Sequence, residues 1–261
     1  MTPVIQLIIS KFGPLGAWFF TSLIIFARYA LFAGSAYLMF YVWRRKKFLY
    51  RKIQQKFPTS KQIKGELLRS LETASIFAFL ILSIYTLNTL GLARLYTDIH
   101  AYSIGYFVFS IVALIFIHDT YFYWMHYGMH RIKGLQKIHA VHHYSHNPTP
   151  FTSLSFHPIE SVLEFAIVPI VIMVMPMHPI ALVLFGLWSL AWNIIGHLGY
   201  ELFPKNFVKH PILKWFNTST HHNLHHKRSN CNYGLYFNFW DRLMGTNHKQ
   251  YERIFQEIKA R

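Results

Sequence analysis

Seventeen histidines occur in this chain, and they are clustered. His126 and His130 stand four residues apart, and His139, His142 and His143 follow eight residues later. His222, His225 and His226 then repeat the same i, i+3, i+4 spacing near the C-terminus. Residues three and four apart share one side of a helix, so the eight imidazoles form three presented clusters. Unpaired, so many polar rings would be expensive to desolvate. Convergence on metal removes that cost, because a neutral imidazole nitrogen is a good ligand for iron, zinc or copper. Eight nitrogens exceed what one ion uses, so two ions are expected. His100, His178, His210 and His248 stand outside any pattern and read as ordinary surface or core residues.

The other residue types narrow the metal. A single cysteine, Cys231, excludes a disulfide framework and a cysteine-ligated zinc or iron–sulfur site. The protease helix motif His-Glu-x-x-His is absent, and bis-histidine haem needs at most two of these rings. The ten carboxylates are too dispersed for the paired Glu-x-x-His ligands of soluble di-iron bundles. Two redox-active irons with positions open to O₂ fit best, with zinc as a substitute in purified protein. Asp119, about two helical turns before His126, is expected to hold a ligand imidazole in one tautomer. His118 is rotated away from His126 and is expected as an outer neighbour.

Such clusters must be carried by something, and the composition says what. Of 261 residues, 53% are apolar and only 14% charged, against about 25% charged in soluble domains. Pro14 to Trp43 is apolar apart from Arg28, Thr73 to Ala93 is uncharged, and Ala101 to Ile117 runs uncharged into His118. Residues 165–200 contain no Asp, Glu, Lys or Arg. That run would be about 54 Å long as a helix, too long for one crossing of about 30 Å. Met-Pro-Met-His-Pro at 175–179 is expected to turn it into a hairpin. No signal peptide is evident.

The net charge of +16 could suggest nucleic acid, but its distribution gives another reason. Ten of the 26 basic residues lie between Arg44 and Arg69, the segment that the positive-inside rule assigns to the cytoplasm. Alternation then puts the N-terminus and residues 94–100 outside, and the histidine clusters and C-terminus inside. The charge is therefore read as a topology signal and a surface for anionic lipid headgroups, not as a nucleic-acid interface. Arg28 either faces the bundle interior or sits near the outer interface on a shallow segment.

The chain resembles the sterol desaturase/fatty acid hydroxylase superfamily of integral membrane di-iron oxygenases. The matching segments are Asp119 to His130, Lys137-Ile-His139-Ala-Val-His142-His143 and Thr149 to Glu160. Asn193-Ile-Ile-Gly-His197-Leu-Gly-Tyr-Glu201, His221-His222-Asn-Leu-His225-His226 and Asn232 to Thr246 complete the set, in the family's order, over roughly residues 70–250. The resemblance implies metal ligation by His126, His130, His139, His142, His143, His197, His222, His225 and His226, with His157 a further candidate. Asn193 and His221 are read as outer neighbours. Two departures stand out. A His-x-x-x-His pair common in hydroxylase members is here Asn193 and His197, and the family's His-Arg is His126-Tyr127. Acyl-CoA desaturases separate their first two boxes widely, whereas eight residues separate His130 from His139.

The expected fold is an all-α integral membrane protein of about four to five spans, the last pair a hairpin, under a cytosolic histidine-rich helical cap. Residues 1–69 form an N-terminal membrane segment and basic loop, 70–250 the catalytic domain and 251–261 a tail. The expected function is O₂-dependent hydroxylation or desaturation of a sterol-like, fatty acyl or related lipid. A membrane metal-transport or storage protein and a metal-dependent hydrolase are the alternatives. With no nucleotide-binding glycine loop, iron–sulfur cysteines or fused haem domain, the electrons must come from a separate carrier. A cytochrome b5-like protein, or a ferredoxin with its reductase, would serve.

Overall fold

The computed structural model describes residues 2–261, and every regular element among them is helical. α1 (Thr2–Tyr37) continues as a π-helical turn, Leu38–Trp43. Gly13 breaks α1 with φ 70°, in the left-handed region where a side chain would be strained. Pro14 then begins the second part, where its missing N–H is harmless. A short α2 (Arg45–Phe48) opens the basic loop. α3 (Ser60–Thr89) starts at Thr59, whose hydroxyl accepts from Gln62 N, and α4 (Ile104–Arg131) at Ser103, which caps Tyr106 N in the same way. α5 (Lys133–His143) follows after one residue.

The charge-free run divides as its prolines require. α6 (Pro158–Phe165) and α7 (Ile167–Val174) are short, the chain turns at 175–178, and α8 (Pro179–His197) returns. α9 (Ser219–Arg228), α10 (Phe239–Leu243) and α11 (Tyr251–Ala260) complete the chain. Four helical stretches are long and apolar enough to cross a membrane: Gln6–Trp43, Ser60–Thr89, Ile104–Arg131 and Pro179–His197. The arm before the turn, made by α6 and α7, is interrupted at Ala166 and is not among the four.

Helix length explains where the histidines fall. His126 lies 22 residues beyond the start of α4, about 33 Å at 1.5 Å per residue, so it reaches just past a hydrocarbon layer about 30 Å thick. His197 ends the 19-residue α8 at a comparable distance from its start. Around these ends pack α5, α9 and the segment Pro150–Leu154. The lower bundle is filled by Ile84, Leu114, Ile172, Met177 and Phe185, and the upper part by Tyr29, Phe151, Leu190 and Ile194. α1 packs along α3 and touches α8, so the N-terminal segment is part of the same bundle. Residues 251–260 are an amphipathic helix that buries Tyr251, Phe255 and Ile258, packing Tyr251 and Phe255 against Leu224 of α9.

Candidate metal centre

The histidine rings converge in two groups. His126, His130, His139, His143 and His225 form one, and His142, His197, His222 and His226 the other. In each group the potential ligand atoms lie within 4.8 Å of one another. Each triplet is divided between them. On a helix at about 100° per residue, the i and i+4 members diverge by about 40°, and the i+3 member lies on their other side. His139 and His143 of α5 therefore join the first group while His142 turns to the second. α9 does the reverse, giving His222 and His226 to the second group and His225 to the first. The groups abut, with the His143 and His226 ring centres 4.8 Å apart.

What holds the rings is on their far sides. The Nδ1–H of His126 donates to Tyr233 O at 2.8 Å, that of His225 to Cys231 O at 2.8 Å and that of His197 to Asn193 O at 2.7 Å. His142 donates to Ser155 O at 3.2 Å, and His139 donates to Glu160 Oε1 at 2.7 Å. A proton on Nδ1 leaves Nε2 a bare lone pair. Yet the Nε2 atoms face one another: His126 and His139 at 3.0 Å, His143 and His225 at 2.9 Å, His197 with His142, His222 and His226 at 3.0–3.1 Å. Lone pairs this close repel unless a cation lies between them. At an imidazole–metal distance of about 2.0–2.1 Å, neighbouring nitrogens would sit about 2.9 Å apart at right angles and about 3.4 Å apart in a tetrahedron. The closest spacings in the two groups, 2.9–3.2 Å, lie in this range, as expected of rings gathered around an ion.

Electrostatics point the same way. Burial, aided by repulsion from neighbouring rings, pushes His139, His142, His222, His225 and His226 well below the ordinary imidazole value, and His143 to about 3. The rings are therefore neutral, the form that binds metal.

The remaining expected residues fall outside the two groups. His157 caps α6, accepting from Ile159 N at 3.2 Å. Asp119 does not touch a histidine of either group: its Oδ1 accepts from Tyr236 N at 2.7 Å and Phe237 N at 3.3 Å, fixing the chain three and four residues past Tyr233. The helical offset put Asp119 on the face of His126, but tertiary packing places the 236–237 backbone there first. His118 stacks on Tyr236 and lines an interior cavity. His221 sits 3.7 Å from Asp241 Oδ2, too far for a hydrogen bond. Asn193 contributes its carbonyl to His197 and its side chain to the cavity wall.

Of the buried carboxylates, sequence reasoning singled out only Asp119 and missed the other four. Five of the ten are fully buried: Glu66, Asp119, Glu160, Glu201 and Asp241. Each pins a segment beside the histidines. Glu66 accepts from Ser145, Thr149 and Thr152 hydroxyls, holding the chain that follows α5. Glu201 accepts from Thr220 N and Oγ1 in the first turn of α9, and Asp241 from Tyr233 N and Gly234 N. Their scarcity was the available signal: acidic residues inside otherwise apolar or histidine-rich motifs are seldom solvent decoration.

Below the rings, between α1, α3, α4, α7 and α8, lies a cavity of about 480 Å³. Most of its wall is Ile, Leu, Val and Phe, and Leu154, Phe156 and Asn193 close its upper end. Asn193 also borders a small space of about 10 Å³ against His197 and His222, so it separates the cavity from the second group. Arg28 lines the cavity, facing the bundle interior.

Residues 111–246 match the family model described as fatty acid hydroxylase. The chain is 30% identical to human lathosterol oxidase over 71% of its own length and 61% of that protein's. For the rat lathosterol oxidase the values are 31%, 84% and 71%. A Delta(7)-sterol 5(6)-desaturase of Leptosphaeria maculans is 29% identical over 88% of this chain and 61% of that protein. No solved structure matches the chain.

Proposed function

Because this chain belongs to the fatty acid hydroxylase/sterol desaturase superfamily, we propose that its two histidine groups hold two iron ions and that it hydroxylates or desaturates a lipid with O₂. That it is a membrane oxidoreductase with a lipid substrate follows from the family and the metal-binding geometry. The observation that carries the finer reading is the crosswise division of the two triplets. Neither α5 nor α9 completes a group alone, so the docking of these two helices builds both groups.

Two ferrous ions bound there would supply O₂ activation and the oxidation of an unactivated C–H bond. The chain's own residues do the rest. His126, His130, His139, His143 and His225 would ligate one ion, and His142, His197, His222 and His226 the other. Glu160 holds the His139 ring and would balance part of the metal charge through it. The apolar cavity receives the lipid and excludes water, and Asn193 stands between it and the second group. Zinc is expected to compete for the site in purified protein.

Arg131, Lys133, Lys137, Lys227 and Arg228 are exposed around the first group. An acidic electron carrier of the cytochrome b5 or ferredoxin kind would dock there quickly and with salt sensitivity. The proposed orientation puts this cap in the cytoplasm and the N-terminus outside, with α6, α7 and α8 as a membrane hairpin. The test is lipid analysis of cells with and without the gene, in air and without oxygen. The expected result is a lipid that gains one oxygen atom or loses two hydrogens only when gene and O₂ are both present. A gene-dependent product that persists without O₂ would point to hydrolysis instead.

A further inference from the structure

Arg28 is the feature that this function leaves unexplained. It lies near the middle of the Gln6–Trp43 span and lines the interior cavity. Its Nε is buried without a hydrogen-bond partner, and among the described residues no carboxylate pairs with it. Its neighbour across the cavity is Gly186 of α8, where even a Cβ would come within 3.7 Å of Nη1. A guanidinium has five N–H donors and no acceptor and stays protonated. At mid-membrane it is costly unless a partner is supplied. Glu164 of α6 is the acidic residue on the cavity wall, and it forms no ion pair with Arg28.

The position of Arg28 gives a length. Gly186 precedes His197 by eleven residues on α8, roughly 16 Å along the helix. We propose that Arg28 anchors the substrate: it binds the oxygen acceptor of an elongated lipid, best a carboxylate, and so sets which carbon reaches the metal centre. A carboxylate fits best because it neutralises the guanidinium and can accept two parallel N–H bonds, whereas a hydroxyl satisfies one donor and leaves the charge. Arg28 lies on α1, outside the family-matched residues 111–246. The inference deepens the lipid-oxidation reading and rests on it for the cavity's purpose.

The test is equilibrium binding of stearate, methyl stearate and lathosterol to the purified full chain in lipid nanodiscs, for wild type and Arg28→Met. Met keeps much of the apolar volume and eases insertion, and unchanged metal content verifies that the cap is intact. Stearate is expected to bind wild type about 10- to 100-fold more tightly than Arg28→Met, the range for a hydrogen bond to a charged group. Methyl stearate should bind both weakly. If lathosterol loses affinity in the variant instead, the anchor stands and its acceptor is a hydroxyl. Should Arg28→Met not accumulate, Gly186→Ile keeps the charge, fills the space beside it and must weaken stearate binding similarly. Binding of all three probes that ignores the substitution, or no binding of stearate and lathosterol to wild type, overturns the anchor. Neither outcome touches the oxygenase reading, which fails separately if no lipid product depends on O₂.

Discussion

The two histidine groups differ in ways that suggest a division of labour. The first has five rings, and three of them are fixed through Nδ1, by Tyr233 O, Cys231 O and Glu160. It also includes half-exposed His130 and lies under the basic surface. The second has four rings, all buried, and His222 and His226 have no partner on Nδ1. It adjoins Asn193 and the apolar cavity. Under the proposed function, the five-ring group would face the electron carrier, and the four-ring group, with fewer ligands, would face the lipid. The comparison teaches that ligand count alone does not describe the centre; what lies behind each ring matters as much.

The largest expected effect is at His197, whose Nε2 faces all three other rings of its group. His197→Ala should abolish product formation and remove the second metal while membrane insertion persists. His130→Ala, which strips one half-exposed ring from a group of five, should lower activity and retain both metals partially. Elemental analysis of the two variants side by side breaks the comparison if their losses are equal.

Glu160→Gln comes next. Loss of the carboxylate behind His139 should weaken metal binding by about 10–100-fold, the usual effect of removing such a partner, with competition by a chelator as the readout. Removing the lone carboxylate that anchors a ring should weaken the first group selectively. Asp119→Ala serves as the contrast. It leaves the Tyr236 and Phe237 N–H groups without their acceptor, at a cost of about 1–3 kcal/mol each. Thermal unfolding should fall while metal stoichiometry stays the same.

The smallest effects lie away from both groups. His248 caps the start of α11 from a partly exposed position, and its replacement by Ala should change stability by less than about 0.5 kcal/mol. Lys52 is fully buried among Tyr41, Phe57 and Tyr200, with Nζ about 5 Å from each ring and without a hydrogen-bond partner. Burial, reinforced by Arg45, lowers its pKa to about 8. The unfolded chain holds that proton up to about 10.5, so it binds more protons than the folded chain between the two values. Stability from this residue therefore rises with pH from about 8 to 10.5. Lys52→Met should show no such rise in thermal unfolding scans, and equal pH responses would contradict the assignment.

Much of this was legible before the fold was known, for a physical reason. Helical periodicity made the clusters at 126–130, 139–143 and 222–226 visible, because side chains three and four apart must share a sector. The break at 175–179 followed from its prolines. What could not be read was anything set by docking between helices. Which member of each triplet joins which group depends on how α5 and α9 face each other. Glu160 meets His139 across 21 residues, and Asp119 meets a backbone 117 residues away. Arg28 could be assigned to the interior only once α8 was seen beside it.

The most direct test of the central claim is the iron content of the purified full-length chain, produced with iron in excess and zinc scarce, for wild type and His197→Ala. The account predicts two irons per chain in wild type and one in the variant, retained by the five-ring group. One iron in wild type, or two in both proteins, would contradict it.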